Sequence, residues 1–138
     1  MFEHCLYFNT TALARRLERE WTVAFKPFDL TPPQAFLLRA VLQTPGLLQY
    51  QLADEMGIAR PTATRALDGL AAKGLVERRN SGRDGRESAV FPTAAGEAMH
   101  GTLDAASGAV TARLKALLGE EAFSDVVGKV RGVRSALK

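Results

Sequence analysis

Two arginines stand at the start of a predicted helix in the segment GIARPTATRALDGLAAKG, residues 57–74. Arg60 and Arg65 lie off its narrow apolar face, and the first acidic residue after them is Asp68. A cation at the amino end of a helix opposes the helix dipole, so packing alone does not explain Arg60. A nucleic acid offsets that penalty, because free helix amides bind phosphate and arginine and threonine bind base edges. We therefore predict a DNA-recognition helix. The residues expected at the contact are Arg60, Pro61, Thr62, Thr64 and Arg65.

A second group of cations follows in the polar loop NSGRDGRE, residues 80–87. Residues 60–86 contain seven cations and three anions, a net charge of +4, whereas the whole chain carries +3. An arginine at the tip of a β-hairpin can enter a narrow minor groove, where the potential is most negative. The same loop, taken alone, is also compatible with a solvated charged turn. The residues expected to contact DNA from this loop are Arg83, Asp84 and Arg86.

The elements that must position these residues follow from the spacing of apolar side chains. Helices are predicted at residues 6–25, 32–43, 49–56 and 60–73, strands at 75–79 and 88–93, and further helical stripes at 99–117 and 123–137. Thr31 is expected to cap the second helix, and Gly57 and Gly74 to end the third and fourth. The predicted fold class is mainly α with a small β-hairpin wing (α+β). Residues 32–93 form the winged helix-turn-helix in this interpretation.

Composition places the chain among ordinary globular domains. It has 138 residues, of which 46% are hydrophobic, enough for a real core. Its one cysteine, Cys5, cannot form an intramolecular disulfide, which favours a reducing compartment. No apolar run approaches the ~20 residues of a membrane helix, and the first residues do not resemble a signal peptide. We therefore expect a cytoplasmic protein with no membrane partner.

Four segments, in this order and spacing, resemble the MarR family of transcriptional regulators: LTPPQAFLLRAV, LADEMGIARPTATRALDGLAAKGLVERR, RDGRES and FPTAAGEAM. The resemblance covers roughly residues 30–99. It implies a homodimeric regulator, usually a repressor, that binds a pseudo-palindromic double-stranded operator. It also implies that residues 1–31 and 94–138 form a helical dimerisation region. Asp84 would orient the wing through an internal ion pair, and Arg86 would reach the minor groove.

The sequence departs from the family pattern at two positions. Leu48 stands where the third helix usually begins with a threonine or serine cap. Gly85 replaces the second arginine that is usual in the wing, which removes one cation. Both departures reduce the expected number of phosphate contacts.

A small-molecule effector or an oxidant is expected to favour a dimer geometry with the wrong spacing of the recognition helices. A pocket between the dimer helices and the winged domain could be lined by Trp21, Phe25, Phe28 and Phe36, although aromatic residues at this spacing also suit a core. Cys5 lies where organic-hydroperoxide sensors of the family carry a reactive cysteine. The alternatives for Cys5 are a small buried hydrophobe, or a metal site with His4 and His100. We expect no metal and no cofactor.

An enzyme is not expected, because the chain has no phosphate loop, no nucleophile elbow and no histidine–carboxylate motif. The alternative from another class is a winged-helix module that docks a protein and does not bind DNA. The recognition helix and wing of such a module would carry apolar or acidic patches, whereas here both are basic.

Overall fold

The computed structural model describes residues 1–80 and 88–138, so the predicted wing contacts Arg83, Asp84 and Arg86 lie outside the described residues. The described residues form seven α-helices and one small three-stranded sheet. The helices are α1 Leu6–Phe25, α2 Pro32–Gln43, α3 Gln49–Met56, α4 Arg60–Ala72, α5 Ala94–Ala98, α6 His100–Leu118 and α7 Glu120–Ala136, with a 3-10 turn at Lys26–Phe28. The strands are β1 Leu47–Leu48, β2 Val76–Asn80 and β3 Ser88–Pro92. The predicted class, mainly α with a β wing, is confirmed.

The sheet is antiparallel, with β3 between β1 and β2. Val76 lies opposite Pro92, and Leu48 lies opposite Ala89. The hairpin β2–β3 was predicted, but β1 was not, because two residues cannot show a strand periodicity. The turn before β1 is fixed by Gly46, whose amide donates to the carbonyl of Val90 at 2.8 Å.

One hydrophobic core joins the winged domain to the long helices. Leu37 and Leu38 of α2 and Leu67 of α4 are fully buried in it, against Val90 of the sheet. Phe25 of α1 and Leu103 of α6 belong to the same cluster. Helix α4 therefore packs on a core that is continuous with α1 and α6.

Local signals fix the helix bounds as expected. The Thr31 side chain accepts from the Gln34 amide at 3.3 Å, and the Gln34 side chain accepts from the Thr31 amide at 3.1 Å, which completes a capping box. Gly57 and Gly74 follow α3 and α4 with φ of 64° and 72°, a conformation that costs other residues free energy. Among the described residues, no helix combines the length and apolar character needed to cross a membrane.

Candidate nucleic-acid interface

The amino end of α4 is open to a ligand. Its capping residue is Ala59, which provides no side-chain hydrogen bond, and its first turn contains no acidic residue. Pro61 has no amide hydrogen, so it adds no unsatisfied donor to the first turn. The helix buries Ala63, Leu67 and Leu70, and the exposed side carries Arg60 and Arg65. Unsatisfied amides, the positive end of the dipole and two cations together make a surface that attracts anions.

The two threonines of this turn differ in what they can offer. Thr64 Oγ1 lies 3.0 Å from the carbonyl of Arg60 and donates to it, so its hydroxyl proton is used within the helix. Thr62 Oγ1 lies 3.5 Å from Arg65 Nη2, at the long limit of a hydrogen bond. The Thr62 hydroxyl and the Arg65 guanidinium therefore form one polar unit that can reach a base or a phosphate together.

The three other cations in the described part of residues 60–86 are all paired internally. Arg78 Nη2 lies 2.6 Å from Asp68 Oδ1, Lys73 Nζ lies 3.6 Å from Asp29 Oδ2, and Arg79 Nε lies 3.0 Å from Glu77 Oε1. Within residues 1–80 and 88–138, neither Arg60 nor Arg65 has a carboxylate at ion-pair distance. The uncompensated positive charge of the described segment is thus concentrated at the start of α4.

Arg78 was not singled out from the sequence, yet it joins α4 to the hairpin. Besides Asp68, its Nη2 approaches the carbonyl of Thr64 at 3.4 Å, while its Nε is buried with no hydrogen-bond partner among the described residues. The ion pair spans ten positions through a turn, so local periodicity could not reveal it. Arg78 therefore ties strand β2 to α4.

A cavity of about 440 Å³ lies between α1, α2 and the end of α3. Of the four aromatic residues predicted to line a pocket, Trp21 and Phe36 line this cavity. Phe25 is instead fully buried, with its ring edge-on to Phe36 at a centroid distance of 5.9 Å. Phe28 packs against the core without lining the cavity. The remaining lining residues are Ala14, Leu17, Glu18, Pro32, Pro33, Met56 and Ile58.

Cys5 is exposed immediately before α1, so the expectation of a buried hydrophobe does not hold for the single chain. His100 begins α6, where its Nε2 lies 3.3 Å from Asp104 Oδ2. In the part of the chain that the structure describes, no three histidine, cysteine or acidic side chains are grouped as a metal site. The alternative set of His4, Cys5 and His100 is therefore not assembled.

Comparison with known proteins identifies related sequences and folds. Residues 28–87 match the model of the MarR family. The uncharacterized HTH-type transcriptional regulator YybA of Bacillus subtilis is 30% identical over 88 residues, which cover 64% of this chain and 59% of YybA. The aligned part thus spans about three-fifths of that relative.

Two solved structures extend the likeness to nearly the whole chain. MepR of S. aureus in complex with DNA has a TM-score of 0.86 at 20% identity, covering 99% of this chain and 100% of MepR. PcaV of Streptomyces coelicolor, solved with its natural ligand, has a TM-score of 0.79 at 26% identity, covering 91% and 92%. The fold is therefore shared beyond the segment that the family model matches.

Proposed function

We propose that this chain, which belongs to the MarR family, is a sequence-specific DNA-binding regulator that represses transcription as a homodimer. The observation that carries the proposal is the start of α4. There Arg60 and Arg65 lack carboxylate partners among the described residues, next to helix amides that no side chain caps. Duplex DNA supplies the negative charge that this surface lacks.

The mode of binding follows from the position of α4. The unit formed by Thr62 and Arg65 faces base edges or the adjoining backbone in the major groove. Two copies of α4 enter successive major grooves ~34 Å apart, which requires a pseudo-palindromic operator. The wing contributes Arg86 to the minor groove, with Arg83 and Asp84 beside it; these three roles are proposed from the sequence. MepR, which shares the fold, has been solved on DNA.

A small molecule regulates the protein in this proposal. The cavity bounded by Trp21 and Phe36 lies between α1 and the winged domain, so an occupant there would change how the two parts pack. A ligand that binds one packing better than the other shifts the spacing of the recognition helices. PcaV, solved with its natural ligand, is a precedent among the structural neighbours. The exposed Cys5 supports the alternative in which an oxidant is the signal.

The first prediction tests DNA recognition with Arg65→Ala, Arg86→Ala and the matched control Arg19→Ala, an exposed arginine on α1. An operator is first selected from genomic fragments, and its binding is compared with that of a random duplex at several salt concentrations. Removing a base contact at Arg65 should cost ~1–3 kcal/mol and relax preference at one operator position. Arg86→Ala should weaken binding to both duplexes, and it should reduce the magnitude of the slope of log K against log salt concentration by about one per subunit.

The control should bind as the parent does, because the same charge is lost away from the contact. If Arg65→Ala and Arg86→Ala both bind the two duplexes like the parent, residues 60–86 are not the DNA-binding surface. The winged-helix protein-docking module then becomes the better interpretation.

A further inference from the structure

We propose that Tyr50 is a positioning residue for Arg60 in DNA binding, an inference that rests on the proposed function. Tyr50 is the second residue of α3, and 37% of its surface is exposed. The guanidinium carbon of Arg60 lies 5.5 Å from the centre of its ring. This contact crosses the turn between α3 and α4 and places an aromatic face beside the cation at the start of the recognition helix.

The stacking at Arg60 differs from the other arginine–aromatic contacts of the described chain. Arg39 stacks on Phe36 and Arg79 on Phe91, but each also donates to a carboxylate, that of Asp104 and that of Glu77 respectively. Their guanidinium groups are therefore tied into the fold. Arg60 has the aromatic face without a carboxylate partner among the described residues. A ring face attracts the charge yet leaves the N–H edge of the guanidinium available for phosphate or guanine.

Tyr50 is held firmly enough to serve as a platform. Leu48, two residues before it, pairs with Ala89 in the sheet, and its amide donates to Gln51 Oε1 at 2.9 Å. Leu52, two residues after it, is fully buried. Stacking on a fixed ring reduces the conformations that the long Arg60 side chain loses when it binds DNA. The ring also offsets the unfavourable position of a cation at the positive end of α4.

The test measures operator binding by Tyr50→Phe, Tyr50→Ala, Arg60→Ala and the double variant Tyr50→Ala/Arg60→Ala. Salt is set so that Arg60→Ala still binds measurably, and circular dichroism checks that each variant is folded. Tyr50→Ala should weaken binding about two- to fivefold for each winged domain on the duplex. Tyr50→Phe keeps the ring and should bind within about twofold of the parent. In the Arg60→Ala background, Tyr50→Ala should add no further loss.

Several results would overturn the inference. A neutral Tyr50→Ala means that the ring does not position Arg60. Equal losses for Tyr50→Phe and Tyr50→Ala assign the effect to the hydroxyl, and an undiminished loss in the Arg60→Ala background assigns it to the structure of α3. A parent chain that binds no duplex overturns the proposed function as well. If Arg65→Ala weakens operator binding but Tyr50→Ala does not, this inference alone is overturned and the proposed function stands.

Discussion

Arg78 and Arg79 are neighbours on β2, yet they occupy different surroundings. Arg78 reaches under α4 to Asp68, and its buried Nε has no partner among the described residues. Arg79 lies on the exposed side, with Glu77 two residues away and the Phe91 ring 4.1 Å from its guanidinium carbon. The alternation of a strand explains the difference, because successive side chains point to opposite faces. Of these two arginines, Arg78 is therefore the one that contacts α4.

The second prediction compares Asp68→Asn with Glu77→Gln. Asp68→Asn removes the charge facing a half-buried guanidinium, and we expect it to lower the free energy of unfolding by about 1 kcal/mol. Glu77→Gln breaks a more exposed pair and should cost less than about 0.5 kcal/mol. Urea unfolding at low and high salt measures both, and the cost of Asp68→Asn should shrink at high salt. Equal costs for the two variants would contradict a special role for Arg78.

The sequence alone predicted correctly which face of α4 is exposed. The apolar spacing of Ala63, Leu67 and Leu70 predicts which face is buried, so Arg60 and Arg65 had to lie elsewhere, as the structure confirms. Their contact with DNA stays a prediction. Pairings made through space, such as that of Lys73 with Asp29, leave no trace in periodicity and could not be predicted.

At the scale of elements, periodicity and caps placed most bounds within two residues. The main departure lies after β3, where the structure has the short helix α5 before α6, whereas the predicted helical stripe begins only at Met99. Packing fixes where α5 begins, because α5 sits directly on the turn after α4. The Thr93 amide donates to the Leu75 carbonyl at 3.1 Å, and the Thr93 Oγ1 donates to the Gly74 carbonyl at 2.6 Å.

The third prediction tests this joint with Gly96→Ala. A Cβ at Gly96 would clash with the backbone oxygen of Leu75, which cannot move without breaking the hydrogen bond from the Thr93 amide. We expect the free energy of unfolding to fall by ~2–3 kcal/mol. Gly101→Ala is the matched control, because nothing lies within 4 Å of its added Cβ, and it should gain about 0.5 kcal/mol in helix propensity. Similar urea midpoints for the two variants would show that α5 does not require the close approach.

At the scale of the whole molecule, the chain exposes more surface than its mass predicts. Its accessible area is 9374 Å² at 14.9 kDa, whereas a compact monomer of that mass exposes ~7,000 Å². Helix α7 has no buried residue, and the start of α1 is exposed as well. An apolar groove of about 460 Å³ between them is lined by Leu6, Val130 and Val133 among others. A second copy of the chain would cover this surface, as the proposed homodimer requires.

The last prediction is that Val130→Glu with Val133→Glu converts a dimer into a folded monomer. Both valines are partly exposed in the single chain, so the charges cost little there, but in a dimer they would be buried without partners. The parent should bury more than ~2,000 Å² in total between two copies and sediment as a dimer at micromolar concentration. The variant should sediment as a monomer with its helical circular dichroism retained, and should lose its preference for DNA with two half-sites over DNA with one.

Ala72→Glu, an exposed change at the end of α4, should leave the dimer intact. A parent that is a stable monomer at micromolar concentration, or a double variant that remains dimeric, would rule out α7 and the start of α1 as the interface.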